Sequence, residues 1–216
     1  MKLSSRQFLD AYKMNELDIA FVGMSNIGKS FTASRMTKAF NFRLIEIDTM
    51  IREHMGHESM KEFAEWQGHP FTPDYKERED LSIQMETFAT QQAVDMGKDR
   101  GNTILDTTGS VIYIDSAVRR HLRENFYVVH IKAEPSDLDR LTGEYFDNPK
   151  PLVWRHHYRP VPGLSGRENI RLCYPELLMS RARDYIAMAD QTVTSGFVLN
   201  PDTTDRDLFN AIKPAR

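Results

Sequence analysis

Gly23-Met24-Ser25-Asn26-Ile27-Gly28-Lys29-Ser30 is the stretch on which the reading of this 216-residue chain turns. It satisfies G-x-x-x-x-G-K-[ST] in full. It follows directly on the apolar run Leu17–Val22, and a helical pattern from Lys29 to Phe40 follows it in turn. Strand, loop and helix in that order are what phosphate capture needs. Several backbone N–H groups must meet one anion, and glycines let the chain curl around it. The helix behind adds the partial positive charge of its N-terminus. Lys29 then reaches the β- and γ-phosphates and Ser30 offers its hydroxyl to Mg²⁺. Gly23, Ser25, Asn26, Ile27, Gly28, Lys29, Ser30 and the adjoining Phe31 are the candidate nucleotide-binding set.

Outward from the loop, apolar runs alternate with helical patterns. Arg43–Ile47 predicts a second strand, Thr103–Leu105 a third ending in Asp106, Phe126–Ile131 a fourth and Thr192–Thr194 a fifth. The fourth is apolar but for His130 and predicts burial on both faces. Helical spacing predicts a short leading helix within residues 1–16. A second helix is capped by Asp48-Thr49 and runs toward Trp66. Asp74–Met96 follows, with Leu81, Met85, Phe88 and Val94 along its apolar side, then Ser116–Arg123, Glu176–Ala189 and Thr204–Ile212. Strands alternating with helices imply an α/β fold with a mostly parallel five-stranded sheet flanked by helices. The stretch 147–175 stands apart, with Pro149, Pro151, Pro160, Pro162 and Pro175 among Lys150, Arg155, Arg159, Arg167 and Arg171. A segment of that composition and length inside a small domain reads as a mobile lid over the site.

Composition narrows the function classes. Lys+Arg 28 against Asp+Glu 31 leaves a net charge of −3, which argues against a nucleic-acid partner. The one cysteine, Cys173, excludes an intramolecular disulfide framework and reads as an ordinary thiol. The first residues lack the apolar stretch of a signal peptide, and no run approaches the ~18 apolar residues that span a membrane. The expectation is one cytoplasmic domain over 1–216, monomeric or weakly dimeric, with no membrane partner. His54, His57 and the pair His156-His157 come without a cysteine cluster or an H-E-x-x-H pattern and read as solvated or hydrogen-bonded histidines. No Asn-Lys-x-Asp motif for guanine occurs, and the chain is short for a motor, which leaves small kinases.

Three carboxylates complete the picture. Strand alternation predicts Glu46 and Asp48 on one side, with Ile47 opposite, at the edge of a parallel sheet where ligands bind. Asp106, closing the third strand, takes the position of an acid near Mg²⁺.

With those residues in place, the chain resembles the shikimate kinase family of P-loop kinases from about residue 17 to 213. The resemblance rests on the Gly23–Ser30 loop and on Glu46-Ile47-Asp48-Thr49-Met50-Ile51 followed by Gly56, where the family writes D-x-D-x-x-I and a glycine. Tyr75-Lys76-Glu77-Arg78-Glu79 is similar to its F-R-x-x-E, and Thr107-Thr108-Gly109-Ser110-Val111 to its G-G-G-x-V. Lys150-Pro151-Leu152 is similar to its lid R-P-L, and Arg181-Ala182-Arg183-Asp184-Tyr185 to its R-x-x-x-Y. The resemblance implies ATP and Mg²⁺ as cofactors, a small-molecule acceptor and a sheet order of 2-3-1-4-5. It implies that Asp48 contacts the acceptor hydroxyl, Glu46 acts near Mg²⁺ and Lys150 is the lid cation on the phosphates. Arg181 would bind a substrate carboxylate, with Lys76 and Gly109 beside the acceptor, and Asn200-Pro201 would pack on adenine.

The acceptor half departs from the family. Lys76 stands where the family has an arginine, and a lysine cannot supply a planar bidentate fork. Thr107 and Thr108 replace two glycines and bring β-branched hydroxyl side chains. These changes predict that shikimate is a poor acceptor, while Arg181 and Lys76 still select for negative charge. A nucleotide-binding accessory protein and a nucleoside or nucleotide kinase remain the alternatives on sequence alone.

Overall fold

The most apolar runs of the chain become the strands of a single sheet, and the amphipathic runs between them become its helical cover. A computed structural model describes residues 2–97 and 101–215. Along the chain lie α1 (Ser5–Lys13), β1 (Asp18–Val22), α2 (Lys29–Phe40), β2 (Arg43–Glu46), α3 (Ile47–His54), α4 (Met60–Gln67), α5 (Tyr75–Gly97) and β3 (Thr103–Asp106). Then follow α6 (Ser116–Asn125), β4 (Tyr127–Lys132), α7 (Asp137–Asp147), α8 (Gly166–Met188), β5 (Gln191–Thr194), α9 (Ser195–Leu199) and α10 (Asp205–Ile212). The strand order is β2-β3-β1-β4-β5, as the resemblance implies, and every neighbouring pair is parallel.

β1 lies at the centre, and Ile19, Ala20, Phe21 and Val22 are fully buried. The phosphate loop therefore leaves the middle of the sheet at its C-terminal edge. The register Glu46↔Asp106 and Phe21↔Asp106 sets Asp106 level with the ends of both neighbours. On the far side, Phe8 of α1 meets Tyr127 and Phe209 edge-on at 5.3 and 5.6 Å, which closes the core against α10.

Several boundaries differ from the sequence reading. β2 ends at Glu46, and Ile47 and Asp48 already belong to α3, so alternation along a strand does not place Asp48. Glu46 is the N-cap of α3 and makes no side-chain cap bond, so Asp48-Thr49 is not the cap either. The helix predicted toward Trp66 is two helices, separated where Gly56 turns the chain at φ +75°.

α5 buries only part of the expected face, since Val94 is buried and Met85 packs against the core. Leu81 and Phe88 are exposed, whereas Tyr75, Glu79, Ser82, Glu86, Ala89 and Ala93 face inward. Those positions recur at helical spacing, but the stripe is small and polar because it faces the cleft and the 150s segment.

The lid is shorter than 147–175. α8 starts at Gly166, where Ser165 and Glu168 form a capping box, and continues through Pro175. Proline removes one helical donor, at ~3 kcal/mol or more in a helix interior. The buried Ile170, Tyr174, Leu177 and Tyr185 on the same helix offset that loss through packing. The remaining connection is no loose flap either, since Leu152, Val153, Trp154 and His157 are buried. Glu79 anchors it by accepting from Trp154 N–H at 2.5 Å and Arg155 N–H at 2.9 Å. The Tyr75 hydroxyl stands 2.8 Å from Glu79 Oε1 and 2.6 Å from the Leu152 carbonyl, so its single proton serves one of two acceptors. This anchor sets where Lys150 hangs.

Candidate active site

Backbone geometry shapes the nucleotide side first. Gly23 adopts φ +148°, and a Cβ there would come within 2.6 Å of the Ile131 carbonyl oxygen, so β4 presses on the loop and only glycine fits. Gly28, at φ +109°, is the N-cap of α2 and supplies no side-chain cap bond, which leaves the first N–H groups of that helix open to the cleft. Ser25, Asn26, Gly28, Lys29, Ser30 and Phe31 line the cleft with Asp48, Arg140, Glu144, Lys150 and Leu199. Ile27 differs from the rest of the loop because its side chain is wholly in the core, leaving only its backbone to the ligand. Phe31 and Leu199 remain exposed on the cleft, while Asn200 and Pro201 lie exposed just beyond Leu199. Arg35 stands over the Phe31 ring at 5.5 Å and is itself fixed by Asp205 at 2.6 Å.

Lys29 is buried and donates to the carbonyls of Gly23 at 3.1 Å and Met24 at 3.0 Å. Burial pulls its pKa down, and the carboxylates of Asp106 and Asp48 oppose that. Asp106 is buried, and its Oδ1 has no hydrogen-bond partner, an arrangement suited to a metal-bound water. Glu46 is exposed and lines neither the nucleotide cleft nor the pocket beside it, although it stands level with Asp106 in the neighbouring strand and its charge adds to the rise of the Asp48 pKa. Among the described residues, no cluster of three or more His, Cys, Asp or Glu side chains forms a metal cage. Mg²⁺ needs none, because it keeps several waters and binds through one or two carboxylates plus phosphate.

Asp48 lies in the first turn of α3 on the wall between two pockets. Burial pushes its pKa up, while Lys150 and Lys29 hold it back. The second pocket adds Ser82 and Glu86 of α5, Thr108, Gly109 and Ser110 of the loop after β3, and Gln67, Pro151 and Val153. Gly109 is required here, since a Cβ would meet Ser25 Oγ at 2.8 Å and Ser25 N at 3.0 Å. Thr107 turns away and donates to the Phe21 carbonyl at 2.7 Å, and only Thr108 enters the pocket.

The shikimate kinase family model matches residues 25–159, more than half of the chain, across both pockets. The chain belongs to the shikimate kinase family. It is a small-molecule kinase, an ATP-dependent phosphotransferase acting on a hydroxyl. The shikimate kinase of Acinetobacter baumannii in complex with shikimate shares its fold, with a TM-score of 0.62 at 20% identity over 93% of this chain and 94% of that one. The enzyme of Bacteroides thetaiotaomicron gives 0.58 at 15% identity over 91% and 94%, and that of Aquifex aeolicus 0.53 at 14% over 91% and 92%. No curated protein sequence matches the chain. Among the described residues, no helix of this shikimate kinase family member is long and apolar enough to cross a membrane.

Two expected acceptor residues are placed differently. Lys76 is exposed on the outer side of α5, in a hollow with Pro70, Arg155 and Tyr158, and does not line the acceptor pocket. The exit of its side chain follows from the inward turn of Tyr75 and Glu79. Arg181 is fully buried, and its guanidinium donates to the Gly109 carbonyl at 2.7 Å and to the Val153 carbonyl. It ties the post-β3 loop to the lid instead of standing free.

Sequence reasoning missed Glu86 and Arg140. Glu86 escaped because Tyr75, Glu79, Ser82 and Glu86 share one buried helical face that no apolar count would select. Arg140 lies on α7, which was not predicted. It donates to the Asn26 carbonyl at 2.9 Å and pairs with Asp137 at 2.6 Å, bracing the phosphate loop from outside.

Proposed function

We propose that this kinase transfers the γ-phosphoryl group of ATP, with Mg²⁺, to a hydroxyl of a small polyhydroxylated molecule. One observation carries the reading: Ser25, Asp48 and Lys150 line both pockets, so a nucleotide on the glycine loop and an acceptor beside Glu86 would meet at those side chains. Phosphoryl transfer asks mainly for positioning and charge compensation. Lys29 would leave the Gly23 and Met24 carbonyls for the β- and γ-phosphates, and the open N–H groups of α2 would hold their oxygens. Phe31 and Leu199 would flank the base, with Asn200 and Pro201 at its edge. Ser30 and Asp106 would hold Mg²⁺, which when bound neutralises charge on the phosphate oxygens. Asp48, its pKa raised by burial, would orient the acceptor hydroxyl and take its proton. Lys150 would close on the transferring group.

Asp48→Asn tests this division of labour. The expected result is a loss of roughly 10²-fold or more in kcat, the size of positioned acid–base help, with ATP affinity nearly unchanged. Loss of ATP binding without a separate loss in kcat would assign Asp48 to the metal instead. Shikimate itself is expected to fail as a substrate, because Lys76 stands outside the pocket and Arg181 is committed to two carbonyls. A coupled assay with millimolar shikimate that returned a kcat/KM of about 10⁴ M⁻¹s⁻¹ or higher would overturn that expectation.

A further inference from the structure

One long face of α8 is turned inward, where Ile170, Tyr174, Leu177, Arg181 and Tyr185 are buried. The opposite face is apolar where a helix against water is normally polar. Leu172, Met179 and Ile186 are 56%, 62% and 51% exposed, too open for the packing of this chain to account for them. They stand seven residues apart, close to two helical turns, and so form one stripe along the outer side of the helix. The pattern reads the same from either end, with Leu172 and Ile186 equally far from Met179. Turning a second copy end for end about an axis through Met179 therefore sets Leu172 against Ile186 and Met179 against Met179. A two-fold contact demands that reciprocity, since residue i must touch j wherever j touches i. The charges obey the same symmetry. Glu176 and Arg183 occupy one flank of the stripe, on either side of Met179, so the turn brings Glu176 of each copy level with Arg183 of the other. Arg183 is exposed and forms no ion pair among the described residues. Glu176 meets His157 at 3.9 Å and Arg159 at 3.6 Å through Oε1, which leaves Oε2 open.

We propose that the outer face of α8 binds a second copy of this chain, the two helices packing antiparallel along Leu172, Met179 and Ile186 with reciprocal Glu176–Arg183 pairs fixing the register. Half-buried Pro175 and Ala182 lie on the other flank, where short side chains let the two helices approach closely. The stripe is about 21 Å long at a rise of 1.5 Å per residue. A single helix pair of that length covers less than the roughly 800 Å² per partner of a standard interface, so the dimer is reversible, with a Kd of about 10–100 µM. The ion pairs supply choice of partner and register more than affinity. Arg181 and Tyr185 face the other way, so the contact leaves the tie between the post-β3 loop and the lid in place.

Sedimentation velocity on the full chain, from about 1 to 500 µM so as to bracket that Kd, tests the contact. The wild-type chain is expected to pass from monomer to dimer across the series. Met179→Glu sets two like charges at the two-fold axis and should raise the Kd at least 10-fold. Glu176→Lys and Arg183→Glu each place like charges opposite one another and should weaken self-association at least 5-fold. An equimolar mixture of those two variants joins opposite charges at both pairs, and it should associate within about 3-fold of wild type. A wild-type chain that stays monomeric throughout would overturn the proposal whatever the variants do. So would a dimer that Met179→Glu leaves intact, which would lie on another face, or a mixture no tighter than its separate components, which would exclude the antiparallel register.

Discussion

At the scale of single residues, the groups with the clearest roles share an awkward position, buried yet charged. Lys29 is the compact cation inside the phosphate loop, and Lys29→Ala should lower ATP-dependent turnover at least 10²-fold. Its melting temperature should stay within a few degrees, since the lysine bonds only to its own loop, and steady-state rates beside thermal melts check both halves. Gly109→Ala should act at a distance, because the new Cβ would displace Ser25, and an ATP KM raised about 10-fold is expected. Glu86 makes a prediction about stability. Burial raises its pKa from 4.5 to about 7, with Asp48 adding to the rise and Arg181 opposing it. Tyr185 is the other titratable group facing it. Below pH 4.5 the carboxyl is protonated in both folded and unfolded chains and exerts no penalty. As pH rises toward 7 the unfolded chain ionises first, so stability falls, by about 3 kcal/mol for that separation. Denaturant melts at pH 4.5 and pH 8 should show the fall in wild type and lack it in Glu86→Gln; parallel pH curves would refute it. Lys29, Ser30, Asp48 and Asp106 were legible in the sequence because each lies in a contiguous motif. Glu86 was not, because its meaning depends on which face α5 turns inward.

At the scale of elements, the strands were legible and the connections much less so. Short apolar runs bounded by turn residues become buried parallel strands almost regardless of context. The 150s segment and α8 show the opposite case. Proline and arginine content suggested a mobile cover, yet buried Trp154 and the Glu79 anchor hold the segment down, and the Ser165 capping box starts α8 well before Pro175. That anchor is testable. Glu79→Ala would strand the Arg155 amide and leave Trp154 N–H only the Tyr75 hydroxyl at 3.1 Å, with about 1–3 kcal/mol for an unsatisfied amide. Amide exchange across residues 150–158 should speed up by 10-fold or more while the exchange of β1 and β4 stays slow. A uniform acceleration through the sheet would mean that Glu79 serves global stability instead.

At the scale of the whole molecule, metal dependence should separate cleanly from folding. The described residues contain no protein-only metal cage, so chelation should abolish turnover yet leave the melting temperature of the free protein unchanged. Adding Mg²⁺ and an ATP analogue at 100 times its Kd should then stabilise by about 2.7 kcal/mol, or roughly 5–10 °C for a chain of this size. A melting temperature that drops on chelation would point to a structural ion. The sheet order has a consequence for how the chain emerges from a ribosome. β2 pairs only with β3, and β1 only with β3 and β4, so both strands that precede β3 lack a ladder partner until it emerges. The phosphate loop, synthesised before β3, therefore waits for Thr103–Asp106 before its supporting strand gains a neighbour. At about 5–20 residues per second, that wait lasts seconds, during which β1 depends on chaperones or local collapse for shelter.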